Sequence, residues 1–526
     1  MACVGSHTLV VGVVLVTAGC MIGPDFKSPQ APIAAQWLEA DYKAVDSSRQ
    51  EYRDWWSVFD DSILSNLIET AYEQNLTLQA AGVRVLQARA ELGVALGELY
   101  PQQQQVSASV TRNRIPVSVP YKIISPTYWQ DVFGAQAAWE IDLWGKLRRG
   151  VESADQGYLA SVAAYDDVLV TLTGDVASTY VQIRVLQAQL TIAEENVARQ
   201  EKVLEIARAR FAGGVVTKRD VYQAENVLGA TQATIPQLHL ALSTAEDALR
   251  VLLGMPPGPL DSLLDGSSGI PAAPERAAVG IPADLLRRRP DVRKAELDAA
   301  AQCAQIGFAK GDLLPAFSLL GNVGTLATDI GRGSLTDVFT AKTLSYSVGP
   351  AVQWNILNYG QLSNNVRVQD AKFQALLVEY QNTVLKAQQE VEDGIAKFVQ
   401  SRDQVEFLKK SVKAALGALK IGILEYMEGT ADFTVVLNAE QNLYQAQNNL
   451  VVARGNVPLG LIAAYRALGG GWQIREGNDF VPDATRAEMA RRTNWGTWLS
   501  PDLLRPQAPG LPGPGDQGPL VRPPEW

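Results

Sequence analysis

The sequence contains few of the residues on which active-site chemistry usually depends. Among its 526 residues are three cysteines and two histidines. His7 lies near the N-terminus and His239 in a helix-like stretch, so the clustered histidines of a catalytic triad or a zinc site are missing. Cys3 and Cys20 lie in or directly after an apolar N-terminal segment, which leaves Cys303 without a disulfide partner. We therefore expect no enzyme, no metal and no cofactor.

Positive charge and long apolar runs are scarce as well. The formal net charge is −10 at pH 7 and the pI is about 5.0, so the sequence lacks the basic character of a nucleic-acid-binding protein. Beyond the N-terminus it contains no apolar run of the 18 or more residues that a membrane-spanning helix needs. A bundle of transmembrane helices is thereby excluded.

The N-terminus reads as a secretory signal. An apolar stretch at residues 9–16 precedes Thr17-Ala18-Gly19-Cys20, and a short apolar segment that ends in small residues is typical of such signals. The pair of small residues before Cys20 resembles a bacterial lipobox. This implies removal of residues 1–19 and a lipid anchor on Cys20, within a lipidated segment at 20–60. The alternative is an ordinary signal followed by an unmodified cysteine.

The strongest pattern is a repeat whose two copies lie 215 residues apart. The sequence WEIDLWG at 139–145 is matched by WNILNYG at 354–360. A shared register of this kind indicates a duplicated unit and a quasi-symmetric assembly. We expect a first repeat at 61–258, a linker at 259–282 and a second repeat at 283–472. Seven-residue steps are apolar throughout both copies: Leu169, Val176, Ile183, Leu190, Val197, Leu204 and Phe211, then Val384, Val391, Phe398, Val405, Val412, Leu419 and Tyr426.

Each copy contains a helix too long for a compact domain. Residues 146–211 and 361–426 contain no proline, and a sustained seven-residue repeat predicts coiled-coil-like helices. At 1.5 Å per residue each would be about 100 Å long. Shorter helices are expected at 61–98, 218–253, 283–311 and 432–468. Pro236 and Pro458 should kink or interrupt two of them, because proline lacks the N–H and clashes with the preceding turn.

Alternating segments predict two strands in each repeat, at 103–115 and 133–143 and at 315–328 and 344–356. Apolar and polar residues alternate over ten or more positions, which fits a membrane β-barrel, although a half-buried strand in a soluble sheet is the alternative. Four strands are fewer than the eight of the smallest closed barrels, and open edges are not tolerated in lipid. Several copies of the chain must then share one barrel. Pro350 indicates a bulge or an edge strand.

Four short motifs point to one family: CMIGPDF at 20–26, LLGMPPG at 252–258, LLRRRPDVR at 285–293 and ALGGGW at 467–472. Together they resemble outer-membrane efflux lipoproteins of the TolC/OprM/NodT type over about residues 20–472. The resemblance implies a mainly α fold with a β-barrel portion. It also implies a homotrimer with a 12-stranded transmembrane β-barrel, four strands per protomer, and an α-helical barrel of roughly 100 Å in the periplasm. After 472 the resemblance fades, and the Pro/Gly-rich tail at 473–526 is expected to be disordered.

The function that this resemblance implies is a passive duct, anchored to outer-membrane lipid and extending into the periplasm. It would carry small molecules outward, docked to a periplasmic adaptor and to an inner-membrane pump of the RND type. Two alternatives stay open: a channel for type I protein secretion, and a periplasmic coiled-coil scaffold or adaptor that spans no membrane.

The resemblance also places the functional positions. The turns at 211–221 and 426–436 should form the periplasmic tip, with an aperture ring at Thr434, Asn438 and Gln441. Asn438 is an amide where relatives carry an acidic residue. Asp432 or Asp220 would then supply the negative charge that attracts cations. The same two carboxylates are also expected to cap helix N-termini, a role that is compatible with the first.

The tip turns themselves are the expected adaptor-docking sites. Gly213, Gly214 and Gly429 should adopt the positive φ that glycine allows. Thr217 lies in the same turn as Gly213 and Gly214.

Overall fold

The helical part of the molecule consists of two long helices flanked by shorter ones. The computed structural model describes residues 21–39, 42–43, 45–46, 52–114, 127–265, 269–278, 280, 288–330 and 333–499. The signal segment, Cys20 and residues 500–526 lie outside this part. The helices are α1 (Ser62–Gln74), α2 (Leu76–Gly97), α3 (Lys146–Ala212), α4 (Lys218–Leu252), α5 (Asp261–Leu264), α6 (Pro290–Gly311), α7 (Gln361–Glu428), α8 (Phe433–Ala467) and α9 (Asp483–Arg492).

The two long helices are confirmed, with α3 at 67 residues and α7 at 68. Each starts after a glycine with positive φ, Gly145 at 75° and Gly360 at 84°, a conformation that glycine adopts without strain. In the seven-residue seam, Leu169, Val176 and Phe398 are buried. They belong to a core in which α1, α2 and α8 pack against α3, and α7 packs against α8.

The structure differs from the helix predictions at one helix break and at two prolines. The segment expected at 61–98 is split at Asn75, whose backbone is extended and whose Oδ1 accepts a hydrogen bond from Leu78 N at 2.8 Å. The amide of Asn75 also donates to Leu252 O at 2.9 Å, so the break is stabilised from both sides. Pro236 and Pro458 do not interrupt their helices, since α4 and α8 run through them. The kink that was the other expected outcome stays a prediction. α4 packs against α3, and α8 packs against α7 and α3. This packing offsets the backbone hydrogen bond that each proline removes.

The strands form a four-stranded antiparallel sheet in the order β2-β3-β5-β6. The remaining two strands, β1 (Val45–Asp46) and β4 (Ala277–Ala278), form a short parallel pair. In the central pair β3–β5, which joins the two repeats, Trp139 lies opposite Leu319. Within the described chain β2 and β6 each have one neighbour, and Pro350 lies on β6, at an edge as expected. The sheet strands are β2 (Gln103–Arg114), β3 (Thr127–Ile141), β5 (Ala316–Thr328) and β6 (Leu344–Gln353).

Residues 473–499 are folded, which corrects the expectation of a disordered tail for this stretch. A 3-10 helix at Trp472–Arg475 and α9 pack over α2 and α3. Phe480 and Val481 are buried, and the guanidinium of Arg475 pairs with the buried carboxylate of Asp166, Nη2 to Oδ2 at 3.0 Å. Trp498 lies against Gly93 of α2 and above the Arg89 guanidinium. We name residues 473–499 the C-terminal clasp.

Residues 21–39, which we name the N-terminal strap, follow α6 and α7 in an extended conformation. Arg149, buried in α3, donates to Ile22 O at 3.0 Å and to Asp25 at 2.7 Å. Further along, Gln388 of α7 accepts from Ala34 N at 2.8 Å and donates to Pro32 O at 2.9 Å. The strap thus fills the α6–α7 groove, which is the counterpart of the α2–α3 groove filled by the C-terminal clasp.

No helix in the part of the chain that the structure describes is both long and apolar enough to cross a bilayer.

Candidate aperture at the ends of the helical hairpins

The two hairpins, α3–α4 and α7–α8, end in turns with related geometry. Gly214 has φ 71° and Gly429 has φ 80°, as expected. Gly213 does not: with φ −76° it continues the helical conformation. At Gly429 the α7 carbonyls are satisfied in the manner of a C-cap, because Thr430 N donates to Glu425 O at 2.9 Å.

Neither aspartate makes the capping hydrogen bond that was expected of it. Asp432 occupies the N-cap position of α8 and Thr217 that of α4, but no cap bond reaches either side chain. Asp220 lies inside the first turn of α4 and is 6% exposed. The Asp220 carboxylate therefore stabilises the N-terminal end of α4 through the helix dipole and not through a capping hydrogen bond.

The buried carboxylate of Asp220 is part of a network that joins the two hairpins. The hydroxyl of Tyr426, at the end of α7, donates to Asp220 Oδ2 at 3.3 Å across 206 residues of sequence. Arg210, at the end of α3, donates to Met427 O at 2.6 Å and also to Tyr426 O. Its guanidinium lies 4.7 Å from the centroid of the Tyr426 ring. We name Arg210, Asp220 and Tyr426 the tip latch.

The surroundings of the latch explain its electrostatics. Phe433 packs edge-on against Tyr426 at 5.2 Å, within a small apolar cluster that includes Val203 and Leu419. Burial, followed by the charge and the hydrogen bond of Asp220, raises the pKa of Tyr426 to about 12. The phenol therefore remains a hydrogen-bond donor at physiological pH.

The three predicted ring positions form one exposed stripe. Thr434, Asn438 and Gln441 are exposed on α8, and their spacing of four and three residues places them on one helix face. Asp432, two residues before Thr434, is also exposed. Asp220 is not part of this stripe, because it lies on α4 and is buried in the tip latch.

Glu440, which the sequence reasoning missed, is a buried carboxyl on α8. It is 3% exposed, and its Oε1 has no hydrogen-bond partner. Burial raises its pKa to about 7, and the positive charge of Arg199 on α3 opposes this shift. Its repeat counterpart Glu225 instead forms an exposed pair with Arg208 at 2.8 Å. In the second repeat Ile423 stands at the position of Arg208. Comparing the two repeats in the sequence could therefore have shown that Glu440 lacks the arginine partner that Glu225 has.

Most of the chain matches the family model described as outer membrane efflux protein, at residues 67–255 and 281–470. The chain belongs to this family. It is 30% identical over 443 residues to nodulation protein T of Rhizobium leguminosarum bv. viciae, covering 84% of this chain and 88% of that protein. It is 28% identical over 473 residues to the probable efflux pump outer membrane protein TtgC of Pseudomonas putida, covering 88% and 95%.

Solved structures agree with this membership. The outer-membrane channel OprN superposes with a TM-score of 0.78 at 30% identity, covering 86% of this chain and 100% of that one. As an outer membrane efflux protein, the chain has a mainly helical, TolC-family fold and acts as an efflux duct of the outer membrane. A secretion channel for proteins and a periplasmic scaffold are not favoured by these matches.

Proposed function

We propose that three copies of the chain form one passive, non-catalytic duct for small molecules, with a 12-stranded barrel in the outer membrane and a helical barrel below it. The open sheet is the observation that carries this proposal. β2 and β6 have unpaired edges in the described chain, and lipid does not tolerate such edges. Four strands cannot close alone, whereas three sheets of four exceed the minimum of about eight.

The tip latch holds the narrow end closed in this proposal. Arg210 and Asp220 belong to the first hairpin and Tyr426 to the second. Breaking their contacts frees the two hairpins to move apart, since the latch joins them at their ends. The exposed stripe at Thr434, Asn438 and Gln441 then lines the aperture, with Asp432 providing charge.

The exposed tip turns suit an end-to-end contact with a periplasmic adaptor. Val215 and Thr217 of the first turn are exposed, as are Gly214 and Gly429. The adaptor connects the duct to an inner-membrane pump of the RND type. Binding of purified adaptor to the duct, lost on substitution of Gly214 and Gly429 by valine, tests this arrangement; unaffected binding contradicts it.

In the same proposal, a lipid on Cys20 anchors the chain to the outer membrane. Met21 packs against Gly145, at the junction of β3 and α3, so the strap starts beside the sheet. Cys20→Ser should abolish labelling of the protein with radioactive palmitate. Labelling at the wild-type level rejects the anchor.

Gel migration and conductance measurements test whether the protein is a trimeric duct. The purified protein should migrate on gels as a heat-sensitive trimer and should form discrete pores in planar bilayers. Pure, folded trimer without conductance overturns the proposal, and a protein that sediments as a monomer in detergent overturns the trimer.

A further inference from the structure

The two hairpins meet near the tip in an interface between α3 and α8. Apolar residues of both helices share one small cluster, in which Val203 of α3 and Val436 of α8 are buried. Further from the tip, Asn196 of α3 donates to Gln447 of α8 at 2.8 Å. Glu440 lies one turn from Val436 on the same helix face and is 3% exposed, so its carboxyl is buried where the hairpins pack together.

Two side-chain oxygens in this region have no hydrogen-bond partner among the described residues. They are Oε1 of Glu440 and Oε1 of Gln200, which lies on α3 one turn nearer the tip than Asn196 and is also 3% exposed. An amide oxygen can only accept a hydrogen bond, and so can an ionised carboxylate, whereas a protonated carboxyl is a donor. The interface therefore suits the uncharged form of Glu440 better than the charged form.

None of the charged groups that the structure describes around Glu440 forms an ion pair with it. Glu440 is the only charged residue of α8 before Arg454. On α3 the nearby cation is Arg199, whose guanidinium is bound to a side-chain amide of its own helix at 2.8 Å. On α7 the residues that face the cluster are apolar, while Lys413 and Lys420 are exposed. A negative charge on Glu440 would thus be buried without a close counter-ion.

The first repeat shows how the equivalent carboxylate is held when it stays charged. On α4, which also packs against α8, Glu225 pairs with Arg208 of α3 at 2.8 Å. In the second repeat the carboxylate is kept as Glu440, but Ile423 replaces the arginine. One hairpin therefore has a cation to neutralise its carboxylate, and the other has only a proton.

We infer that Glu440 is a pH-controlled switch for the tip, which lets the hairpins stay together while it is protonated and drives them apart when it is ionised. Separation of α3 from α8 exposes the carboxylate to solvent and so removes the cost of burying its charge. Each opening with ionisation releases one proton from the carboxyl to the surrounding water. The inference rests on the proposed opening of the tip and adds what regulates it.

The direction of the switch follows from proton linkage. Burial raises the pKa of Glu440 in the closed interface to about 7 from an ordinary 4.5, and exposure on opening returns it towards the ordinary value. The closed state therefore binds more protons than the open state between these limits. Its population relative to the open state is highest below about pH 4.5, falls about tenfold per pH unit up to about 7 and is constant above that.

Distances between the hairpins test the switch without a conductance measurement. Val215→Cys and Val435→Cys introduce label sites at exposed positions of the two hairpins, while the native Cys303 is buried. Labelled full-length chains are diluted with unlabelled ones, and double electron–electron resonance measures the distance between the two nitroxides. The distances should lengthen as the pH rises from 5 to 8. Glu440→Gln should keep the short distance throughout, whereas the control Glu225→Gln should respond like the parent chain.

Ile423→Arg provides a second test that a merely structural role of Glu440 would not pass. It gives Glu440 the partner that Glu225 has, so the tip should stay closed at pH 8. Equal responses to pH in the parent chain and in Glu440→Gln overturn the inference, and so does a parent chain that does not respond. Either outcome leaves the duct proposal standing, because that proposal fails only if the pure, folded trimer does not conduct or the protein is a monomer.

Discussion

The hydroxyl of Tyr426 donates to the buried carboxylate of Asp220, and this contact joins the end of α7 to the first turn of α4. The repeat counterparts of both residues are different. Phe211 takes the place of Tyr426 and is exposed, while Val435 takes the place of Asp220. The contact therefore exists once per chain, at the point where the two hairpins meet.

Tyr426→Phe should increase the conductance of the duct in planar bilayers. The ring and its packing on Phe433 remain, but the hydrogen bond to Asp220 is lost, and a bond to a charged group contributes about 1.5–3 kcal/mol. The population of the closed tip relative to the open one then falls by roughly 10- to 150-fold. Tyr222→Phe is the control, because Tyr222 is exposed on α4. Equal conductance in both variants contradicts the latch.

Glu440 should make the stability of the helical end depend on pH. In the folded chain its pKa is about 7 against an ordinary 4.5, so between these values the folded state binds more protons than the unfolded one. The free energy of unfolding therefore falls as the pH rises from about 4.5 to 7, by about 3 kcal/mol, and is then constant with respect to this group. Glu440→Gln should remove most of that slope in urea unfolding.

The exposed counterpart Glu225 provides the control for this prediction. Glu225→Gln should leave the pH dependence unchanged, because an exposed pair contributes little to stability. A slope that survives in Glu440→Gln shows that another group is responsible.

Asn438→Asp should make the open duct more selective for cations. The change adds one negative charge per copy to the exposed stripe on α8, and a ring of carboxylates attracts cations and repels anions. Reversal potentials in a potassium chloride gradient measure the effect. Asn449→Asp, also exposed on α8 but about three turns further from the tip, is the matched control. Identical shifts in the two variants place the aperture elsewhere.

Asp166→Ala should destabilise the chain by about 3–5 kcal/mol, because it leaves the buried guanidinium of Arg475 without its carboxylate. Asp175→Ala, which removes the half-exposed partner of Arg466, should cost about 1 kcal/mol or less. Urea unfolding monitored by tryptophan fluorescence compares the two. Equal effects would mean that the C-terminal clasp is not part of the cooperative fold.

The sequence was sufficient to predict the long helices and the strands, because their apolar residues recur with a simple period. The seven-residue seam from Leu169 and from Val384 predicted both long helices, and the alternation around Trp139 and Trp354 predicted the strands. These patterns are local, so each can be recognised without knowledge of the partner element.

The tip latch and the C-terminal clasp depend on long-range contacts, which the periodicity of the sequence does not predict. Tyr426 meets Asp220 across 206 residues, and the contact involves positions where the repeats differ. Phe480 and Arg475 lie in a stretch without periodicity, next to a Pro/Gly-rich region that suggested disorder. Their burial follows from the shape of the α2–α3 groove, which only the folded chain shows.

Two unrelated segments occupy equivalent places in the molecule. Gly93 lies against Trp498 of the C-terminal clasp, and its counterpart Gly307 lies against Ile22 of the N-terminal strap. In a ring of three chains, six near-identical grooves would be covered alternately by the two segments. A partner that encircles the duct at this height would meet a surface of three-fold rather than six-fold symmetry, and so has three equivalent ways to be seated there.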